Sequence, residues 1–77
     1  MTASDFKKLR LEGRWKYLED GEFYMTSRSF NEFRVDLHYD GELFIEVWKK
    51  IGLNEIYWIE LVEEQKALND YVDLKLN

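Results

Sequence analysis

The sequence contains no cysteine and no proline, and it has only one histidine and four glycines in 77 residues. Without cysteine there is no disulfide, no thiolate zinc site and no thiol nucleophile. Without proline, no strand or helix is interrupted by a residue that lacks an amide hydrogen. The single histidine, His38, removes His-pair metal sites and leaves little for a His-based triad. No run of 18 apolar residues occurs and no signal-peptide core opens the chain. The expectation is a soluble, cytoplasmic protein with no membrane partner. Carboxylates outnumber basic side chains 16 to 11, for a net charge of −5, which argues against nucleic acid as a partner.

What the chain does have is apolar material. It is 45% hydrophobic and 17% aromatic, too rich for a disordered tail. Its length fits one small domain, residues 1–77, that buries only ~60% of its unfolded surface. Charge is uneven: residues 1–18 carry five basic and two acidic side chains (+3), and the remainder six and fourteen (−8).

Residues 2–8 read as a helical turn, with Ser4 as cap and Asp5 at the positive end of the helix dipole. From Leu9 the period changes to two. Leu9, Leu11, Gly13, Trp15 and Tyr17 alternate with Arg10, Glu12, Arg14 and Lys16, which predicts a strand with one dry and one wet face. A three-residue loop Glu19-Asp20-Gly21 then sorts apolar from polar residues, pairing Tyr17 with Phe23 and Trp15 with Met25. The same loop type at Tyr39-Asp40-Gly41 pairs Leu37 with Leu43, Val35 with Ile45 and Phe33 with Val47. Phe30-Asn31-Glu32 makes a turn between the hairpins, with Asn31 tolerant of a left-handed backbone. Lys50 to Asn54 is a loop, and Glu55–Val62 a fifth strand with Tyr57, Ile59 and Leu61 inward. Residues 63–73 form a helix, against a rival reading of Val72, Leu74 and Leu76 as a sixth strand. The expected fold is therefore α+β: a curled five-stranded antiparallel β-meander with a C-terminal helix packed on one face.

The runs Tyr39-Asp40-Gly41-Glu42-Leu43-Phe44-Ile45-Glu46-Val47, Asn54-Glu55-Ile56 and Leu68-Asn69-Asp70-Tyr71 resemble short uncharacterised bacterial proteins of the Bacteroidetes type. That resemblance covers residues 33–72 and implies a sheet-plus-helix unit with no assigned activity. Leu11-x-Gly13-x-Trp15 also resembles the first-strand Gly-x-Trp of lipocalins, over three residues only.

Candidate chemistry is sparse. His38 falls opposite Glu42 on the charged face, with Asp36 beside it, and reads as an exposed cross-strand pair rather than a catalytic base. No catalytic residue, cofactor or metal is implied. Arg10, Arg14 and Lys16 line one side of the first strand, which suits protection of a sheet edge. The second face of the last two strands carries Phe44, Trp48, Ile56, Trp58 and Val62, an apolar set where water is expected, with Trp48 opposite Ile56. This set is the expected partner-binding surface. The leading function is a non-enzymatic protein-interaction module, a homodimer or the binder of another protein. The first alternative is a carrier of a small apolar ligand lined by Trp15, Tyr17, Phe23 and Met25. The second is an acidic inhibitor or decoy of a basic nucleic-acid-binding protein.

Overall fold

A computed structural model describes residues 1–53 and 55–71. Two N-terminal helices, α1 (Ala3–Lys8) and α2 (Leu11–Gly21), precede four strands: β1 (Tyr24–Phe30), β2 (Phe33–Tyr39), β3 (Phe44–Lys50) and β4 (Ile56–Leu61). A 3-10 helix, Gln65–Asp70, follows. The fold is α+β, and the strands form one antiparallel sheet in the order β1-β2-β3-β4.

The expected first strand is a helix. Leu11, Trp15 and Leu18 recur at helical spacing, and Leu18 is buried against Phe6, Ile45, Val47 and Ile59. The predicted sheet thus loses its first strand and first hairpin: among the described residues there are four strands, not five. Gly21 ends α2, and Glu22 takes the left-handed conformation (φ 55°) just beyond it. A Cβ at Gly21 would lie 2.0 Å from the Phe23 ring, so the chain needs glycine where it leaves the helix. The turn at residues 2–8 is present as α1, but Thr2 rather than Ser4 caps it, accepting the Asp5 N–H at 3.1 Å.

The Phe30–Phe33 turn is confirmed, with Asn31 at φ 53°. The next hairpin differs in register. Tyr39 pairs with Phe44 around a four-residue loop, so Leu37 faces Glu46 and Val35 faces Trp48. Asp40 shapes that loop: Oδ1 accepts the N–H groups of Glu42 (2.8 Å) and Leu43 (2.6 Å). Gly41 supplies the positive φ, 97°. Between β3 and β4, Trp48 pairs with Trp58 and Val47 with Ile59, and a bulge then brings Ile56 opposite Lys49.

These registers have one consequence. Ile45, Val47, Ile59 and Leu61 share the face covered by α1 and α2. Val35 and Leu37 lie on the other face, where Leu37 joins Leu68 and Tyr71 in a second, smaller core with Phe44 and Val62 packed against it. Within the described residues, the expected C-terminal helix over 63–73 is replaced by the 3-10 helix Gln65–Asp70, and the α-helices α1 and α2 lie near the N-terminal end of the sequence. Val72, Leu74 and Leu76 lie outside the described residues.

Candidate interaction surface

The face opposite α1 and α2 is divided into two halves. The 3-10 segment covers one half. Across the other half runs a row of aromatic side chains contributed by every strand: Phe30, Phe33, Trp48, and Tyr57 with Trp58. The hairpin register sets Phe30 opposite Phe33, and the bulge in β4 lets Tyr57 reach back toward the row. Trp48 is the hub, with the rings of Phe30 (5.9 Å) and Phe33 (5.7 Å) packed edge-on, and Phe33 in turn meets Tyr57 at 5.0 Å. Phe30 is 50% exposed, Trp58 45% and Tyr57 66%, so the row is open to solvent at its two ends, with Trp48 and Phe33 half-buried between them.

A buried charged group holds the boundary between the halves. Glu46 accepts a hydrogen bond from the Tyr71 hydroxyl and pairs with Arg28 at 3.2 Å. The Arg28 guanidinium lies 5.4 Å from the Trp48 ring and 5.3 Å from that of Tyr71. Burial, and then the adjacent Glu46 carboxylate, push the Tyr71 hydroxyl well above the ordinary phenol range. Arg28 Nε and Trp48 Nε1 are buried without a hydrogen-bond partner, so this cluster is not saturated.

The polar residues marked by the sequence sit on the α-helix side of the sheet, beyond α2. Asp36 is buried and accepts from Ser27 (2.6 Å), from Arg34 (2.8 Å) and from Lys49 (3.2 Å). Burial opposes its ionisation, but the bonds from Ser27, Arg34 and Lys49 outweigh it and hold the carboxyl below its ordinary range. His38 is buried too, not exposed as the sequence predicts. It faces Ile45 and Tyr24 rather than Glu42, and its Nδ1 has no partner. Burial lowers its pKa.

The predicted partner-binding residues are thus divided among three environments. Trp48 and Trp58 stand in the open row, as cross-strand partners of each other. Phe44 and Val62 pack into the small core under the 3-10 segment. Ile56 turns to the α-helix face through the bulge. Phe30, Phe33 and Tyr57 were assigned elsewhere by alternation. The signal for Phe30 and Phe33 is the tight turn between them, which fixes both rings on one face; Tyr57 joins through the β4 bulge, which alternation does not reveal. Of the predicted ligand-lining residues, Trp15, Tyr17 and Phe23 pack against the helix–sheet core and Met25 is exposed at the bulge in β1. Recesses of about 250 Å³ and about 170 Å³ are lined by Arg34, Lys49, Lys50, Ile51 and Gly52, and by Lys7, Arg14, Trp58, Glu60, Leu61 and Glu63. Neither includes the predicted lining residues, and both are walled mainly by charge.

No helix among the described residues is long and apolar enough to cross a membrane. Compared with protein-family models, curated proteins and solved structures, the chain matches none.

Proposed function

We propose that this chain is a non-enzymatic protein-interaction module that docks a partner on the aromatic row. The observation that carries the reading is the exposure of Phe30 and Tyr57, whose rings pack against the half-buried Trp48 and Phe33, with Trp58 exposed opposite Trp48 on β4. Exposed apolar patches of this kind mark contact sites, and tryptophan and tyrosine are common anchors in them. The ionisable groups support the same reading. Asp36 is occupied by three donors and His38 is enclosed, so both serve the sheet rather than a substrate.

The test is a double variant, Tyr57→Ser with Trp58→Ser, in sedimentation and in a binding assay against the partner recovered with the wild-type chain. Truncating such anchors commonly costs about 2 kcal/mol or more, roughly thirtyfold in affinity. The expected result is that loss with an unchanged melting temperature. Full retention of binding would refute the reading.

A further inference from the structure

Arg34 on β2 and Lys49 on β3 are register partners, and Lys50 follows directly. Like charges set opposite each other on neighbouring strands destabilise a sheet. One carboxylate answers them: Asp36 accepts from Arg34 Nε at 2.8 Å and from Lys49 Nζ at 3.2 Å. Each cation keeps donors to spare, since a guanidinium carries five and an ammonium three. Three positive side chains against one negative leave +2 at this end of the sheet, on a chain whose net charge is −5. Among the described residues Lys50 pairs with no carboxylate, and the exposed side chains of Glu32 and Glu55 pair with none of the three cations. The same three cations, with Ile51 and Gly52, wall the recess of about 250 Å³. Its backbone is fixed: the N–H of Ile51 donates to the Glu32 carbonyl at 2.9 Å, that of Lys50 to the Glu55 carbonyl at 3.3 Å, and that of Leu53 to the Lys50 carbonyl at 3.3 Å. At Gly52 there is open space where a Cβ would stand.

We propose that this recess binds a dianionic phosphate, as the free ion or as a small monoester. A sequence that sets like charges opposite each other breaks a rule of sheet stability, and such breaches concentrate where a site is built. Charge selects the ligand. A phosphate monoester carries roughly −1.5 to −2 and cancels the surplus, whereas a carboxylate or a phosphodiester, with one charge, leaves part of it. Arginine and lysine together suit phosphate oxygens, the first through its planar fork and the second as a point charge. Size agrees: the recess is smaller than the roughly 300–1,000 Å³ of sites for drug-sized ligands, so it fits a phosphoryl group rather than a large cofactor. Asp36 is a positioning residue, which holds Arg34 and Lys49 side by side. Arg34 and Lys49 share its face, on the α-helix side of the sheet, so this site does not depend on the aromatic row being a docking surface.

The experiment is a nuclear magnetic resonance titration of the full chain at about pH 8, where a phosphate monoester is a dianion, and at constant ionic strength. The probes are inorganic phosphate, methyl phosphate and, as monoanions, dimethyl phosphate and acetate. The expected result is saturable shifts of the Lys50, Ile51 and Gly52 amides and of the Arg34 Nε–H with the dianions, and none that saturate with the monoanions. Saturation by methyl phosphate assigns the site to a phosphorylated small molecule; saturation by inorganic phosphate alone assigns it to the free ion. Lys50 is exposed, so Lys50→Gln should fold as the parent does and bind about tenfold more weakly, the loss of one charge-assisted hydrogen bond. Lys8→Gln, an exposed lysine on α1, should leave the affinity unchanged. Shifts in the parent that never saturate overturn the proposal. So do monoanions that bind as well as the dianions, an affinity unchanged in Lys50→Gln, or an equal loss in Lys8→Gln.

Discussion

Trp48 and Trp58 stand directly opposite each other on β3 and β4, but only Trp48 is built into the protein. Two phenylalanine rings and the Arg28 guanidinium enclose Trp48, whereas Trp58 is 45% exposed and meets the Arg14 guanidinium at 5.3 Å. Replacement should therefore separate folding from binding. Trp48→Ser should lower stability by about 2–3 kcal/mol, somewhat below the cost of truncating a fully buried tryptophan. Trp58→Ser should leave the melting temperature nearly unchanged. Thermal denaturation of the two single variants checks this; equal losses would mean that Trp58 too is a packing residue.

The parts of the fold that could be read from the sequence were those where a local signal had no competitor. Asn31 at its turn and the strand Glu55–Val62 are of this kind, and β4 occupies Ile56–Leu61; of the expected loop over 50–54, residues 51–53 form a turn, Lys50 ends β3, and Asn54 lies outside the described residues. The stretch 9–17 had two valid periods, because Leu11 and Trp15 fit alternation and helical spacing alike. Leu18 decides between them, since it breaks alternation and completes the helical stripe. Residues 9–21 also contain no valine, isoleucine or threonine, which a strand of that length would favour. The hairpin and strand registers failed for another reason. Sorting apolar from polar residues presumes one dry face, but here the dry half of β2 and the dry half of β3 lie on opposite faces, under different covers. An even-numbered loop meets that demand, while an odd-numbered loop meets the presumption. The open aromatic row was half legible for the same reason: Trp48 and Trp58 were found, and Phe44, Val62 and Ile56 went with them although covers elsewhere claim them.

Tyr17 ties α2 to the β2–β3 loop by donating its hydroxyl to Asp40 at 2.6 Å. Burial and then this bond push the Tyr17 pKa up to about 12. Because the folded value is raised, the bond's contribution is complete below the unfolded phenol pKa of about 10 and is lost as pH rises through the folded one. Tyr17→Phe should cost about 1–2 kcal/mol. Asp40→Ala should cost more, since it also frees the amides of Glu42 and Leu43. Ultraviolet titration should show one phenol fewer ionising late in Tyr17→Phe than in the parent.

Acid should weaken the sheet in two stages. Burial lowers the pKa of His38, with Lys49 adding to the effect and Asp36 opposing it. The unfolded chain therefore binds this proton more readily than the folded one, and stability falls as pH drops below the unfolded value of about 6.5. Asp36 acts later. Its folded pKa is depressed, so its contribution is present above the unfolded value of about 3.9 and is lost as pH falls through the folded one. Melting temperatures measured from neutral to acid pH should show the first decline in the parent and not in His38→Gln. An equal decline in both would place its origin elsewhere.

The Arg28–Glu46 pair offers the most discriminating test of how the aromatic face is supported. Both side chains are largely removed from water, and Tyr71 adds its hydroxyl to the same carboxylate. A buried ion pair gains little over an apolar pair of similar shape, but breaking it strands a charge. Arg28→Met alone should thus cost about 3–5 kcal/mol, leaving Glu46 with only the Tyr71 hydroxyl. Glu46→Leu alone should also destabilise, because Arg28 already has an unpartnered Nε and would lose its carboxylate. The double variant should be more stable than the sum of the two losses predicts, and near or above the better single variant. Tyr71→Phe, tested in the parent and in Glu46→Leu, completes the cycle: its cost of about 1–2 kcal/mol should vanish once Glu46 is gone, because the hydroxyl then has no carboxylate to serve. Denaturant melts of these variants measure each term. Strictly additive losses would show that Arg28, Glu46 and Tyr71 act on the sheet separately, and that the boundary of the aromatic row is held by packing alone.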